Sequence, residues 1–205
     1  MSSRIISNKI ILASNNSGKI KEFNYLFEKF KLGVEIVAQS TLNVPECDEP
    51  FDTFIENAIH KARHCSKYTG LPAIADDSGL CVPVLGGEPG VYSARYAGVH
   101  HDSTQNINKL LDKMQGLTER KAYFYCTLVF MVHANDPQPI IADGAVFGEI
   151  AHEPLGLLGF GYNPIFYVPE YKLTFAQMSD DVRHNINHRA IALNKLITQL
   201  KEYYL

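Results

Sequence analysis

Ala73-Ile74-Ala75-Asp76-Asp77-Ser78-Gly79 is a short apolar run that ends in two adjacent carboxylates, a hydroxyl and a glycine. The apolar part suits a buried strand, whereas ionised carboxylates are costly to bury unless paired or bound to a cation. Neighbouring side chains on a strand point to opposite faces. One of the two acids therefore faces any given cleft, unless the backbone turns, and Ser78-Gly79 predicts such a turn. The stretch reads as a strand that delivers acid to a site at its C-terminal end. A hard cation with phosphate, Mg²⁺ above all, is the natural client of such a site.

Upstream, Thr53-Phe54-Ile55-Glu56 has capping-box spacing. The helix it opens is expected to turn Ile55, Ala58, Ile59 and Ala62 inward and to end near Thr69-Gly70-Leu71-Pro72. Ile10-Ile11-Leu12-Ala13 reads as a buried strand, followed by the polar turn Ser14-Asn15-Asn16-Ser17-Gly18. From Lys19 the spacing of Ile20, Phe23, Phe27 and Phe30 predicts a helix. Val34-Glu35-Ile36-Val37-Ala38 predicts a second strand, and an acidic loop with Glu46, Asp48 and Glu49 follows.

Downstream, Gly86-Gly87-Glu88-Pro89-Gly90 is a loop, and Ile107, Leu110, Leu111 and Met114 mark a helix. Residues 123–132 and 140–150 are β-rich and are expected to pair antiparallel. Residues 155–163 contain Gly156, Gly159 and Gly161, which suits close approach of a ligand. A last helix is expected from about Asn185, with Ile186, Ala190, Leu193, Ile197 and Leu200 as its inward stripe. Strands and helices alternate and then strands dominate, so the fold class is α/β with a mixed central sheet.

The 205 residues suffice for one medium domain or two small lobes. A net charge of −3 gives no general attraction to nucleic acid, so phosphate binding must come from local features. Cys47, Cys65, Cys81 and Cys126 form no metal-ligand spacing and read as free thiols of a reducing compartment. Met1 to Ala13 is too short and polar for a signal peptide, and no apolar run approaches the roughly 20 residues that span a bilayer. These features predict a soluble cytoplasmic protein without membrane or nucleic-acid partners.

Four constellations could carry chemistry. Ser14-Asn15-Asn16-Ser17-Gly18-Lys19 joins a strand to a helix, and helix starts attract anions. It is not a Walker A loop, since Ala13 and Ile20 stand where glycine and Ser or Thr belong; an ordinary helix cap is the competing reading. Asp76 and Asp77, with the acidic loop, could share Mg²⁺ or take a proton from water. Phe160-Gly161-Tyr162-Asn163-Pro164 offers rings to stack on a base and an amide to read its edge, against a core-packing alternative. Arg183, His188 and Arg189 lie in Arg-His-Asn-Ile-Asn-His-Arg, where cations at a helix start oppose the dipole unless an anion binds. His60 with His64, and His184 with His188, share a helix face but lack the general-base glutamate of a zinc-protease motif. His100-His101 reads as solvated loop.

In order along the chain, these segments resemble the inosine triphosphate pyrophosphatase family in its bacterial form. The matching stretches are residues 12–23, 53–58, 73–80, 85–96 and 159–166, together with His188-Arg189. The resemblance implies residues 1–205 as one domain of two lobes, with a long mixed sheet flanked by helices, a substrate cleft between the lobes, and a homodimer. It implies Mg²⁺-dependent hydrolysis of aberrant purine nucleoside triphosphates (ITP, dITP, XTP) to the monophosphate and pyrophosphate.

Carried onto this chain, the resemblance implies that Ser14, Asn15, Asn16, Ser17, Gly18 and Lys19 cradle phosphates. Asp77 is general base and metal contact, joined at the metal by Glu46, Asp48 or Glu49, and Ser78 touches substrate. Phe160, Gly161, Tyr162 and Asn163 hold the base, and Arg183, His188 and Arg189 complete recognition. Asn163, Arg183 and Asn187 stand where that family usually has Asp, Lys and Ser. A Maf-like pyrophosphatase for other nucleotides and a nucleotide sensor without turnover are the alternatives. Asp76 is expected on the opposite face from Asp77, with its role open.

Overall fold

The computed structural model describes residues 7–98 and 102–204, without the side chains of Ser17, Glu22 and His184. The expected His100-His101 loop and the first six residues lie outside the described residues. Among the described residues, seven strands form one mixed sheet: β1 (Lys9–Leu12), β2 (Glu35–Ala38), β3 (Ala73–Cys81), β4 (Lys121–Met131), β5 (Ile140–Ile150), β6 (Phe166–Val168) and β7 (Leu173–Thr174). Their order is β2-β1-β3-β4-β5-β6-β7. β1 runs parallel to β2 and β3, while β6 runs antiparallel to β5 and β7. Helix α1 (Ser17–Lys29) makes the crossover from β1 to β2, as a parallel pair requires. It buries Phe23, Leu26 and Phe27.

Helix α2 (Phe54–Thr69) delivers the chain to β3. Thr53 caps it, accepting the Glu56 amide at 3.3 Å, and Gly70 ends it in the left-handed region. Ala58, Ala62 and Cys65 are buried as the pattern predicts, but Ile55 is exposed and Asn57 is turned inward. The reason is local: the Asn57 amide bonds both the N–H and the C=O of Phe51, each at 3.0 Å, which fixes the loop before the helix.

The turn expected at Ser78-Gly79 does not form; β3 runs unbroken to Cys81. Leu80, Cys81 and Val82 are buried, so apolar demand resumes after the acids and holds the chain extended. β3 also passes from one compact unit into another at the Asp77–Ser78 bond. The first unit holds described residues 7–77, 127–143 and 192–204; the second holds 78–98, 102–126 and 144–191. Each has its own core. In the first, Ile11, Val37, Ala58, Ala62, Ala73, Val129 and Met131 pack together. In the second, Leu80, Ile107, Leu110, Phe124, Ile165, Phe166 and Phe175 do so. Helix α3 (Ser103–Lys113) lies in the second unit.

The single last helix expected from Asn185 is two helices, α4 (Asp180–Ile186) and α5 (His188–Tyr203). Asn187 is extended between them, and its Oδ1 accepts the Ala190 amide at 2.8 Å. Asn187 is thus the N-cap of α5. Asparagine and serine cap helices equally well, which accounts physically for asparagine at this position.

Candidate active site

Asp76 and Asp77 are 1% and 8% exposed, and strand alternation gives each a separate cation. Lys19 Nζ donates to the Asp76 carboxylate, 2.9 Å from Oδ1 and 2.8 Å from Oδ2. Lys61 Nζ donates to Asp77 Oδ1 at 3.0 Å and to Glu49 Oε1 at 2.7 Å. Asn57, also on α2, is a second donor to Asp77, its Nδ2 lying 3.3 Å from Oδ2. All of these contacts lie within the first unit. Removing one partner of such a buried pair strands a charge, so the lysines are a condition of burying the acids.

The electrostatics of this centre favour a base near neutrality. Burial pushes the Asp77 carboxyl up to about 6; Lys61 opposes that rise, and Glu49 and Asp76 add to it. Burial alone would lower Lys61, but Asp77, Asp76 and Glu49 outweigh it and hold the side chain as an ammonium. Asp77 is therefore proton-loaded below about pH 6 and ionised above it.

The polar turn at 14–19 closes on itself. Asn16 Oδ1 accepts the Gly18 and Lys19 amides at 2.9 and 3.1 Å, and Ser14 Oγ accepts the Asn16 amide at 3.1 Å. The helix-cap reading of this turn is thus realised, and Lys19 is its charged group. Of the acidic-loop candidates, Glu46 accepts from Asn15 Nδ2 at 3.2 Å and Asp48 is exposed. Glu49 is the one that shares an ammonium with Asp77. Two carboxylates converging on one cation suit Mg²⁺, which takes one or two carboxylates and fills its shell with water and phosphate. Among the described residues, no group of three or more His, Cys, Asp or Glu is arranged to hold a metal. His64 Nε2 bonds the Pro45 carbonyl at 2.9 Å, and the His60 ring stands edge-on to Phe51.

The remaining candidates lie in the second unit. Arg189 Nη2 donates to Ser78 Oγ at 3.3 Å. The His188 ring stacks on Phe124, with centroids 5.1 Å apart. Arg183 is not presented as a phosphate clamp: its guanidinium donates to the carbonyls of Phe175 (3.2 Å) and Met178 (3.5 Å) and to Asp180. A planar fork reaches several acceptors at once, which an ammonium cannot do in that geometry.

Tyr162 is core rather than stacking platform. It is 5% exposed, its hydroxyl donates to the Ser93 carbonyl at 2.9 Å, and burial pushes its phenol well above the usual range. Phe160, two residues earlier, is 77% exposed. Gly161 between them takes φ +59°, a conformation open to glycine that lets one ring enter the core while the other stays outside. Asn163 is buried, with its amide over Gly159 where a Cβ would collide.

The sequence reading gave no role to Lys61 or Asn57. The signal was available: they stand four residues apart on α2, flanking the inward alanines, and polar residues at such positions need buried partners.

Fold and site together define a mixed-sheet α/β protein with an acid–lysine centre on β3. The Ham1 family model matches residues 10–199, and the chain belongs to the Ham1 family. It is 50% identical over 195 residues to a dITP/XTP pyrophosphatase of Nitrosomonas europaea, covering 95% of both chains. It is 51% identical to one of Erwinia tasmaniensis, covering 94% of both. A solved HAM1 protein from Coxiella burnetii superposes with a TM-score of 0.91 at 44% identity, covering 95% of this chain and 98% of that one.

In the metal-free protein, the Asp77 carboxyl followed by ¹³C NMR should titrate with a midpoint near 6. In Lys61→Met the midpoint should move upward, because the ammonium that favours the ionised form is gone. A midpoint in the ordinary carboxylate range, or a downward move in the variant, would contradict this assignment.

Proposed function

We propose that this chain hydrolyses aberrant purine nucleoside triphosphates, ITP, dITP and XTP, to the nucleoside monophosphate and pyrophosphate. The observation that carries the proposal is the pair of buried acids on β3, each held by its own lysine, in a chain half identical to dITP/XTP pyrophosphatases. Above about pH 6, Asp77 is ionised and can take a proton from the water that attacks the α-phosphorus. Lys61 and Asn57 each hold one oxygen of that carboxylate and so fix its orientation. Lys19 can exchange Asp76 for a phosphate oxygen.

Asp77 and Glu49 would hold Mg²⁺. Their shared ammonium contact supports Glu49 over Glu46 and Asp48. When bound, the ion supplies charge to offset the leaving pyrophosphate. The exposed ring of Phe160 supports stacking on the purine, with Ser78 and Arg189 as further contacts and Asn163 lining the stretch from within. Donors from His188 and Arg189 aimed at a C6 oxygen would leave adenine donor against donor. Arg183 acts at a distance in this reading, bracing the segment before α4.

The reading includes a cytoplasmic homodimer. The free thiols of Cys47, Cys65 and Cys81 support the compartment, and no described helix is long and apolar enough to cross a membrane. Phe147, 73% exposed and beside Tyr123 on an open face of β5, supports the dimer. Sedimentation equilibrium at micromolar concentration should give twice the chain mass, and a monomer would remove this part of the proposal.

The activity is tested by pyrophosphate release with Mg²⁺ across ITP, dITP, XTP, ATP, GTP, UTP and dUTP. ITP, dITP and XTP should turn over at least about 10-fold faster than ATP, the range a polar base contact provides. In H₂¹⁸O the label should enter the nucleoside monophosphate. Preference for UTP or dUTP would favour a Maf-like enzyme, absence of release a sensor, and label in pyrophosphate a different site of attack.

A further inference from the structure

Phe160 projects from a stretch with no strand or helix of its own, between Gly159 and Gly161, both in the left-handed region. Something outside the stretch must hold it. Tyr162 is the anchor, and its hydroxyl ends on one atom, the Ser93 carbonyl oxygen, at 2.9 Å. That carbonyl also accepts from Asn106 Nδ2 at 3.4 Å, while Asn106 Oδ1 accepts the Ala97 amide at 2.7 Å. Asn106 is 3% exposed and belongs to α3, so a rigid element holds the turn that carries Ser93.

The Ser93 side chain supplies the other half of the arrangement. Its hydroxyl donates to the Gly90 carbonyl at 2.6 Å and accepts the Leu80 amide at 2.9 Å. Leu80 is fully buried on β3, two residues beyond Ser78, whose own hydroxyl accepts from Arg189. One residue therefore ties three things: the strand that carries Ser78, the 83–95 loop, and the anchor of the Phe160 stretch. Every one of these contacts lies within the second unit. A hydroxyl that must donate and accept at once has no substitute in alanine, but threonine keeps it.

We propose that Ser93 is a positioning residue for the base end of the site, setting Tyr162 and so Phe160 against the strand that carries Ser78. The inference rests on the nucleotide-hydrolase reading above. Ser93 touches no substrate in it; it acts by fixing the groups that do, as a supporting shell does.

The test separates the base end from the phosphate end. In Ser93→Ala, inosine monophosphate should bind about 10-fold more weakly by calorimetry, the scale of one lost hydrogen bond, while tripolyphosphate binding stays within about 2-fold. KM for ITP should rise by a similar factor with kcat within about 3-fold, and Ser93→Thr should restore both. Tyr162→Phe removes the adjoining link, from the Tyr162 hydroxyl to the Ser93 carbonyl, and should reproduce the pattern, which keeps the proposal testable if Ser93→Ala does not fold. Unchanged inosine monophosphate binding, or equal loss for tripolyphosphate, would overturn the role of Ser93. A wild-type protein that binds no inosine monophosphate and releases no pyrophosphate from ITP would instead overturn the nucleotide reading.

Discussion

Two carboxylates in succession on a buried strand cannot share a face, and the site is built on that constraint. β3 sends Asp76 and Asp77 to opposite sides, and the low-dielectric surroundings make each demand a cation of its own. Lys19 comes from the start of α1 and Lys61 from the middle of α2. Both helices are thereby tied to β3 by charge. The same constraint sets the chemistry. Burial raises Asp77 toward the working range of a base, and the Lys61 ammonium keeps that rise moderate.

The second unit meets a different requirement, holding an exposed aromatic ring without regular structure under it. It does so by sacrificing a neighbour. Tyr162 is buried and bonded so that Phe160 can stay outside, and the glycines on either side take the backbone conformations this requires. The departures at Arg183 and Asn187 have local reasons of the same kind. Asn187 caps α5, and Arg183 binds the carbonyls that precede α4. Both changes are absorbed by backbone hydrogen bonds within the second unit.

Much of this was legible in the residues. The apolar run before Asp76, the cap at Thr53 and the stripe of the last helix mark β3, α2 and α5 because burial and capping are local demands. The turn expected at Ser78-Gly79 failed because residues beyond it, Leu80 to Val82, belong to a core that the local pattern does not display. The break at Asn187 was hidden since the apolar stripe continues in phase across it. Lys61, Asn57 and Ser93 were missed for another reason: their partners are 16, 20 and 69 residues away in sequence, and only the folded chain brings them together. Among Glu46, Asp48 and Glu49, composition could not tell which one meets Asp77 at the Lys61 ammonium, where the folded chain brings Glu49.

The central claim is that the Asp77 carboxylate, oriented by Lys61 and Asn57, takes the proton of the attacking water. Asp77→Asn keeps the shape and removes the base. Measured with ITP and Mg²⁺ at pH 8, its kcat should fall by roughly 10²–10⁴, the usual contribution of general base catalysis, while ITP binding by calorimetry persists. Turnover near that of the wild-type protein would contradict the account.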